Sequence, residues 1–361
     1  MGFKFLYNFV GYVIIENVNA MRTIAYIWTL LAILGVSLVV SCSKVDRVSD
    51  NQEIVLAPYG TSLTKADPEI GPLGTDKVFG VYAYNSACAG GTAWNDASAW
   101  AASSQYFANA DFSYQETAWS GTPAPYYWPL SGSLMFAGYC PHSGASDGAV
   151  TAVSLVNTDK TNPCLQISFT QNSSATVDLL WFDVKDVAEG KTLSKTSDAI
   201  PLTFKPALSK VSFTFADSQN HYKLSSVSLK GLVNKGTFYS GNTPGWMPEL
   251  ARETLRDYTL LAESQDSPKL NAWTSADMYI IPQYLDGIFP IIGETLDSGV
   301  DVVLAITLTD GFGSQTVELL LKDYTERWEL GKSYQYTITV NADPIEFDTP
   351  SFTITTQVVS M

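Results

Sequence analysis

The sequence predicts an all-β protein, with two antiparallel β-sandwich domains in tandem. Apolar residues recur at every second position over long stretches, and few segments have a helical period. Aromatic residues make up 12% of the chain beside abundant Ser and Thr, a composition that suits strands. Alternation of this kind buries one face of a strand and wets the other, as two packed antiparallel sheets require.

Taken in order, Ile54-Val55-Leu56 is a short apolar piece ended by Pro58-Tyr59-Gly60, and Thr61 to Thr75 is a Gly-, Pro- and Asp-rich loop. Val78 to Tyr84 is a β-forming run. Ala93 to Phe107 is a candidate short helix. Leu134 to Tyr139 follows a turn at Pro129 to Gly132, and Thr176 to Val184 is a further strand candidate. A Lys-, Ser- and Thr-rich stretch near Gly190 to Ile200 separates the two expected domains, 52–197 and 198–361.

The second half has the clearer period. Val211, Phe213 and Phe215 alternate with Ser212 and Thr214, and Val227 and Leu229 with Ser226 and Ser228. Leu304, Ile306 and Leu308 face Val317, Leu319 and Leu321 across Asp310-Gly311-Phe312-Gly313, the pattern of a hairpin. Tyr334, Tyr336, Ile338 and Val340 form the most regular strand, and Pro248 to Thr254 is a second candidate helix.

The N-terminal region carries an export signal. Met21-Arg22 precedes an apolar run from Ile24 to Val40, closed by Ser41-Cys42. One positive charge, an apolar core and a small residue before the cut describe a secretory signal. A cysteine at the next position fits lipid attachment to its thiol. Residues 1–41 are therefore expected to be removed, with Met21 as the true start, Cys42 lipidated, and 42–51 a polar tether.

Without residues 1–41, which hold Lys4, Glu16 and Arg22, the formal charge is −16, against −15 for the whole chain. So acidic a surface repels phosphate backbones and excludes nucleic acid as a partner. Beyond Cys42 only Cys88, Cys140 and Cys164 remain; three cannot all pair, and their spacing fits no metal site. Two histidines, His142 and His221, sit beside turn residues and are read as surface positions. No nucleophile, Walker or dinucleotide motif occurs, so neither enzyme chemistry nor a cofactor is expected. Acidic pairs such as Asp183/Asp186 and Glu326/Glu329 arise by chance among 36 acidic residues. A cluster of aromatic residues that includes Trp119, Tyr127 and Trp128 has two readings, a core or a platform on which sugar rings stack.

Tyr126-Tyr127-Trp128-Pro129 with Leu134 to Pro141, Asp178-Leu179-Leu180-Trp181, Phe204 to Val211, Tyr279-Ile280-Ile281-Pro282-Gln283, and Trp328 to Tyr336 are five segments that, in this order, resemble the Bacteroidales fimbrillin-like family. Pro206 stands where the family usually has histidine. The resemblance implies two transthyretin-like β-sandwiches, export as an outer-membrane surface lipoprotein, and assembly into type V pili with other subunits or copies of itself. It further implies that a trypsin-like protease removes the first strand and a neighbour's strand fills the groove. In this chain Ile54, Val55 and Leu56 fit the removable strand. Lys65 fits the cut or is an ordinary solvated loop lysine; Arg47 is a rival site, where cutting would merely free the domain from its lipid. The tail, with Phe352, Ile354 and Val358, fits a donor strand or the last strand of its own sandwich. The alternative function is a glycan-binding surface lipoprotein.

Overall fold

The structure, a computed structural model, describes residues 52–62, 69–101, 103–156, 163–217, 222–249, 255–263, 268–291, 294–297, 299–310, 313–341 and 351–361. The all-β expectation holds: twenty-four strands are described, and the helix Ala97–Ala101 is one short turn of α structure among several 3-10 turns.

The first ten strands are β1 (Leu56–Ser62), β2 (Glu69–Pro72), β3 (Val78–Ser86), β4 (Ser104–Gln115), β5 (Ala118–Thr122), β6 (Ser133–Cys140), β7 (Val150–Val156), β8 (Cys164–Thr170), β9 (Leu180–Phe182) and β10 (Ile200–Pro206). Eight of them form one sheet in the order β10-β9-β6-β3-β4-β5-β1-β2, and β1 also pairs with β10, so the sheet closes into a barrel. Phe79, Phe112, Phe136, Phe182 and Phe204 fill it, all with no exposed surface. Every residue of β6 is buried, because the strand is covered on both faces. Leu134 and Phe136 point into the barrel, whereas Met135, Ala137 and Tyr139 belong to a second core outside it.

That second core lies under a sheet ordered β14-β13-β8-β7, where β13 is Lys235–Tyr239 and β14 is Gly245–Pro248. Trp181 on the barrel meets Phe238 on β13 with ring centroids 5.4 Å apart. Strands from before and after residue 198 thus share both the barrel and this covering sheet.

The remaining strands are β11 (Ser209–Asp217), β12 (Lys223–Val233), β15 (Leu255–Leu261), β16 (Met278–Ile280), β17 (Gln283–Tyr284), β18 (Ile288–Ile291), β19 (Glu294–Asp297), β20 (Val303–Thr309), β21 (Ser314–Leu320), β22 (Arg327–Trp328), β23 (Lys332–Asn341) and β24 (Ser351–Ser360). Two four-stranded sheets, β16-β11-β23-β24 and β15-β12-β20-β21, enclose a third core. The period-two residues of β11, β12, β20 and β23 supply most of it, as their alternation predicts. Gly231, at φ 78, sits in the bulge between Leu229 and Leu232 on β12. Two pairings run parallel, β1 with β10 and β11 with β23.

Three expected elements come out differently. The loop expected from Thr61 to Thr75 holds the end of β1 and the whole of β2, which pair antiparallel from Tyr59↔Pro72 to Ser62↔Glu69. The helix expected from Ala93 to Phe107 is confined to Ala97–Ala101, and Ser104 already begins β4. Phe107 there packs on Tyr126 at 4.5 Å between centroids, so aromatic burial outweighs the alanine-rich helical tendency. The strand expected over Thr176 to Val184 shrinks to Leu180–Phe182. Asn172 Oδ1 accepts the backbone N–H of Ser174 and Thr176, both at 3.1 Å, folding the approach into a turn. Asp183 ends the strand by capping the next 3-10 turn.

Candidate functional site

The first segment is wedged into the seam that closes the barrel. On one side, Ile54 N–H donates to Tyr126 O at 2.8 Å and Trp128 N–H to Gln52 O at 2.9 Å. On the other, Ile200 N–H donates to Val55 O at 2.9 Å, and β1 then runs parallel to β10 from Leu56↔Ile200 to Gly60↔Phe204. Ile54 and Leu56 are 0% and 1% exposed and lie in the barrel core, Pro58 is also buried, and Val55 is half-buried. Period two therefore points Ile54, Leu56 and Pro58 inward. Around them Phe79 packs on Trp119 at 5.3 Å and on Phe204 at 5.5 Å. Lifting out this segment leaves a slot with free backbone groups along both walls and apolar pockets between them. The walls of this seam, Tyr126–Trp128 and β10, lie far from it in the sequence. Tyr126–Trp128 and Phe204 fall in family-like segments and Ile200 to Thr203 do not, and pairing partners are not readable from one strand's pattern.

The tail forms β24, an edge strand paired antiparallel with β23 over ten residues from Lys332↔Ser360 to Asn341↔Ser351. Tyr334 is paired with Val358 and Ile338 with Ile354, which puts Phe352, Ile354, Thr356 and Val358 on the core-facing side. Phe352 and Ile354 are half-buried against the third core, while Val358 is 49% exposed. Cys42, Arg47 and Lys65, and with them the signal, lipid and cleavage expectations, lie outside the described residues.

The aromatic cluster is corrected in part. Trp119 and Trp128 are each 6% exposed and belong to the barrel core, so neither ring offers a face to a sugar. Trp119 is held between Phe79 and Tyr114, whose centroids lie at 5.3 and 5.7 Å. Tyr127 is exposed, and its carbonyl accepts the Tyr106 hydroxyl at 2.7 Å. His142, expected at the surface, is instead 9% exposed: its Nδ1 accepts Gly144 N–H at 3.0 Å and its ring stacks on Tyr139. His221 is outside the described residues.

The carboxylate pair Asp183/Asp186 is structural. Asp183 accepts Val184 N–H at 2.7 Å and the Ser240 hydroxyl at 2.9 Å, and Asp186 accepts Asp183 N–H and pairs with Lys205. Burial raises the Asp183 pKa, and these donors oppose the rise. Cys88, Cys140 and Cys164 are free thiols; burial pushes Cys140 up to about 12, which keeps it protonated and unreactive. Among the described residues, no group of three metal-donor side chains occurs, and no helix is long and apolar enough to cross a membrane.

The chain is similar to a candidate cell adhesion protein from Bacteroides ovatus at 13% identity and a TM-score of 0.51, covering 86% of this chain and 98% of that one. A candidate cell adhesion protein from Bacteroides uniformis has 15% identity and a TM-score of 0.48, with 87% and 99% covered. A fimbrial protein from Bacteroides vulgatus has 15% identity and a TM-score of 0.47, with 86% and 99% covered. No curated protein matches. The fimbrillin-like family model matches residues 64–356, and the chain belongs to that family.

Proposed function

We propose that this chain is a structural and adhesive subunit of surface fimbriae, joined to its neighbours by strand exchange. Family membership supports a cell-surface pilus or adhesin subunit, and the exchange route rests on one observation. The apolar segment Ile54–Leu56 fills a two-walled seam at the start of the fold, and Lys65 follows it in the sequence, after β1 and before β2. Cleavage after Lys65 severs that segment from the barrel, and a neighbour's tail, with Phe352, Ile354 and Val358 at alternate positions, supplies the replacing strand. Export through residues 1–41, lipidation at Cys42 and outer-membrane anchoring complete the route. In this reading, the protein binds other subunits or its own copies and performs no catalysis. The burial of Trp119 and Trp128 weighs against the glycan-platform alternative.

Trypsin treatment of purified full-length protein tests this reading. The expected result is a ladder of SDS-resistant oligomers whose chains begin at Ala66, abolished by Lys65→Ala. Clean cleavage at Lys65 that leaves only monomers overturns strand exchange.

A further inference from the structure

Sheet edges attract other strands, and the described edges of this protein are defended unequally. β2 ends at Pro72, β15 carries Arg256 and Asp257, and β21 carries Glu318. β14 ends at Pro248, β16 spans only Met278–Ile280, and the uncharged β7 has a register shift between Val150 and Ala152. β24 has no such defence. Its ten residues, Ser351 to Ser360, include no charge and no proline, and its register with β23 is unbroken. Among the described residues it has no second neighbour.

We infer that β24 is a self-association edge, pairing antiparallel with β24 of a second copy of this chain. The pattern of β24 about its own centre favours a second copy as the occupant. At a formal charge of −15 two copies repel one another, and β24, which carries no charge, adds nothing to that repulsion at the contact. A two-fold axis perpendicular to the sheet keeps like faces together, so that paired residues share parity. Centred on Thr355, this pairing sets Phe352 against the partner's Val358, Ile354 against the partner's Thr356, and Thr353 against the partner's Gln357. The exposed apolar surface of Val358 is then covered at both ends of the interface. The two four-stranded sheets ending in β24 become one eight-stranded sheet.

This pairing needs no proteolysis and leaves β1 in place, so it stands or falls apart from strand exchange. The test is sedimentation velocity of uncleaved full-length protein in mild detergent, across a concentration series. Wild type should show a monomer–dimer equilibrium. Thr355→Lys and Thr355→Glu, each at an exposed position, set like charges opposite one another across the two-fold axis and should each raise the dissociation constant by at least about tenfold. An equimolar mixture of the two variants should recover the dimer, an outcome that neither misfolding nor shared micelles produces. A wild type that stays monomeric, or a dimer unchanged in either variant, overturns the inference.

Discussion

Leu56 stands opposite Trp119, and this single register pair joins β1 to β5. The other flank of β1 is tied to β10 by five consecutive pairs. The barrel therefore closes through a seam that is short on the β5 side and long on the β10 side. Leu56 is 1% exposed within it. Leu56→Ala removes packing from both flanks and should cost about 2–5 kcal/mol in equilibrium urea unfolding. A loss below about 1 kcal/mol would mean that the seam is loosely packed.

Trp119 and Tyr127 lie close in sequence but differ in burial, 6% against 37% exposed. Trp119→Ala should lower stability by about 3–5 kcal/mol, whereas Tyr127→Ala should stay within about 0.5 kcal/mol of wild type. Thermal melting alongside polysaccharide binding separates core from platform. If Trp119→Ala weakened sugar binding at an unchanged melting temperature, the ring would have to be regarded as a ligand contact.

The second half of the fold was legible because β11, β12, β20 and β23 each have one wet face, and Val211-Ser212-Phe213-Thr214-Phe215 displays that asymmetry directly. The barrel was less so. β6 is buried on both faces, so Leu134 to Tyr139 shows an apolar run but not which residues face which core. β10 carries inward Ile200, Leu202 and Phe204 in alternation, yet its parallel partner lies 144 positions earlier, a separation that no local pattern encodes. The seam was half visible in the same way: Ile54 and Leu56 announce a strand, but its walls at Tyr126 and Ile200 come from loop and strand segments brought together only by closure.

Asp178 makes stability depend on pH. Its Oδ1 is closed off from solvent with no hydrogen-bond partner, and burial raises its pKa to about 7 against the opposing pull of Lys210 and Lys77. A carboxyl with a raised folded pKa adds stability fully below its unfolded pKa of about 3.9 and loses it as pH rises through the folded value. Stability should thus fall between about pH 4 and pH 7, by at most about 4 kcal/mol from this group. Asp178→Asn should flatten that slope and be the more stable protein at pH 8. Chemical denaturation at a series of pH values measures both slopes, and parallel slopes would show that Asp178 titrates normally.

β24 contributes little that the rest of its sandwich cannot do without. Its partner β23 keeps Tyr336, Ile338 and Val340 at 0% exposure, and these residues are flanked by β11 on one side and the tail on the other and belong to the core between the two sheets. The tail adds only the half-buried Phe352 and Ile354 to that core. Deleting residues 351–361 should therefore cost about 1–3 kcal/mol and leave a cooperatively folded protein, as seen by near-UV circular dichroism and urea unfolding. The same deletion removes the candidate donor without touching the seam at Ile54 and Leu56. Trypsin should then cleave the shortened protein as before but yield no SDS-resistant ladder, while mixing it with cleaved full-length chains should cap their growth by accepting one tail and offering none. A ladder formed by the shortened protein alone would place the donor strand elsewhere in the chain.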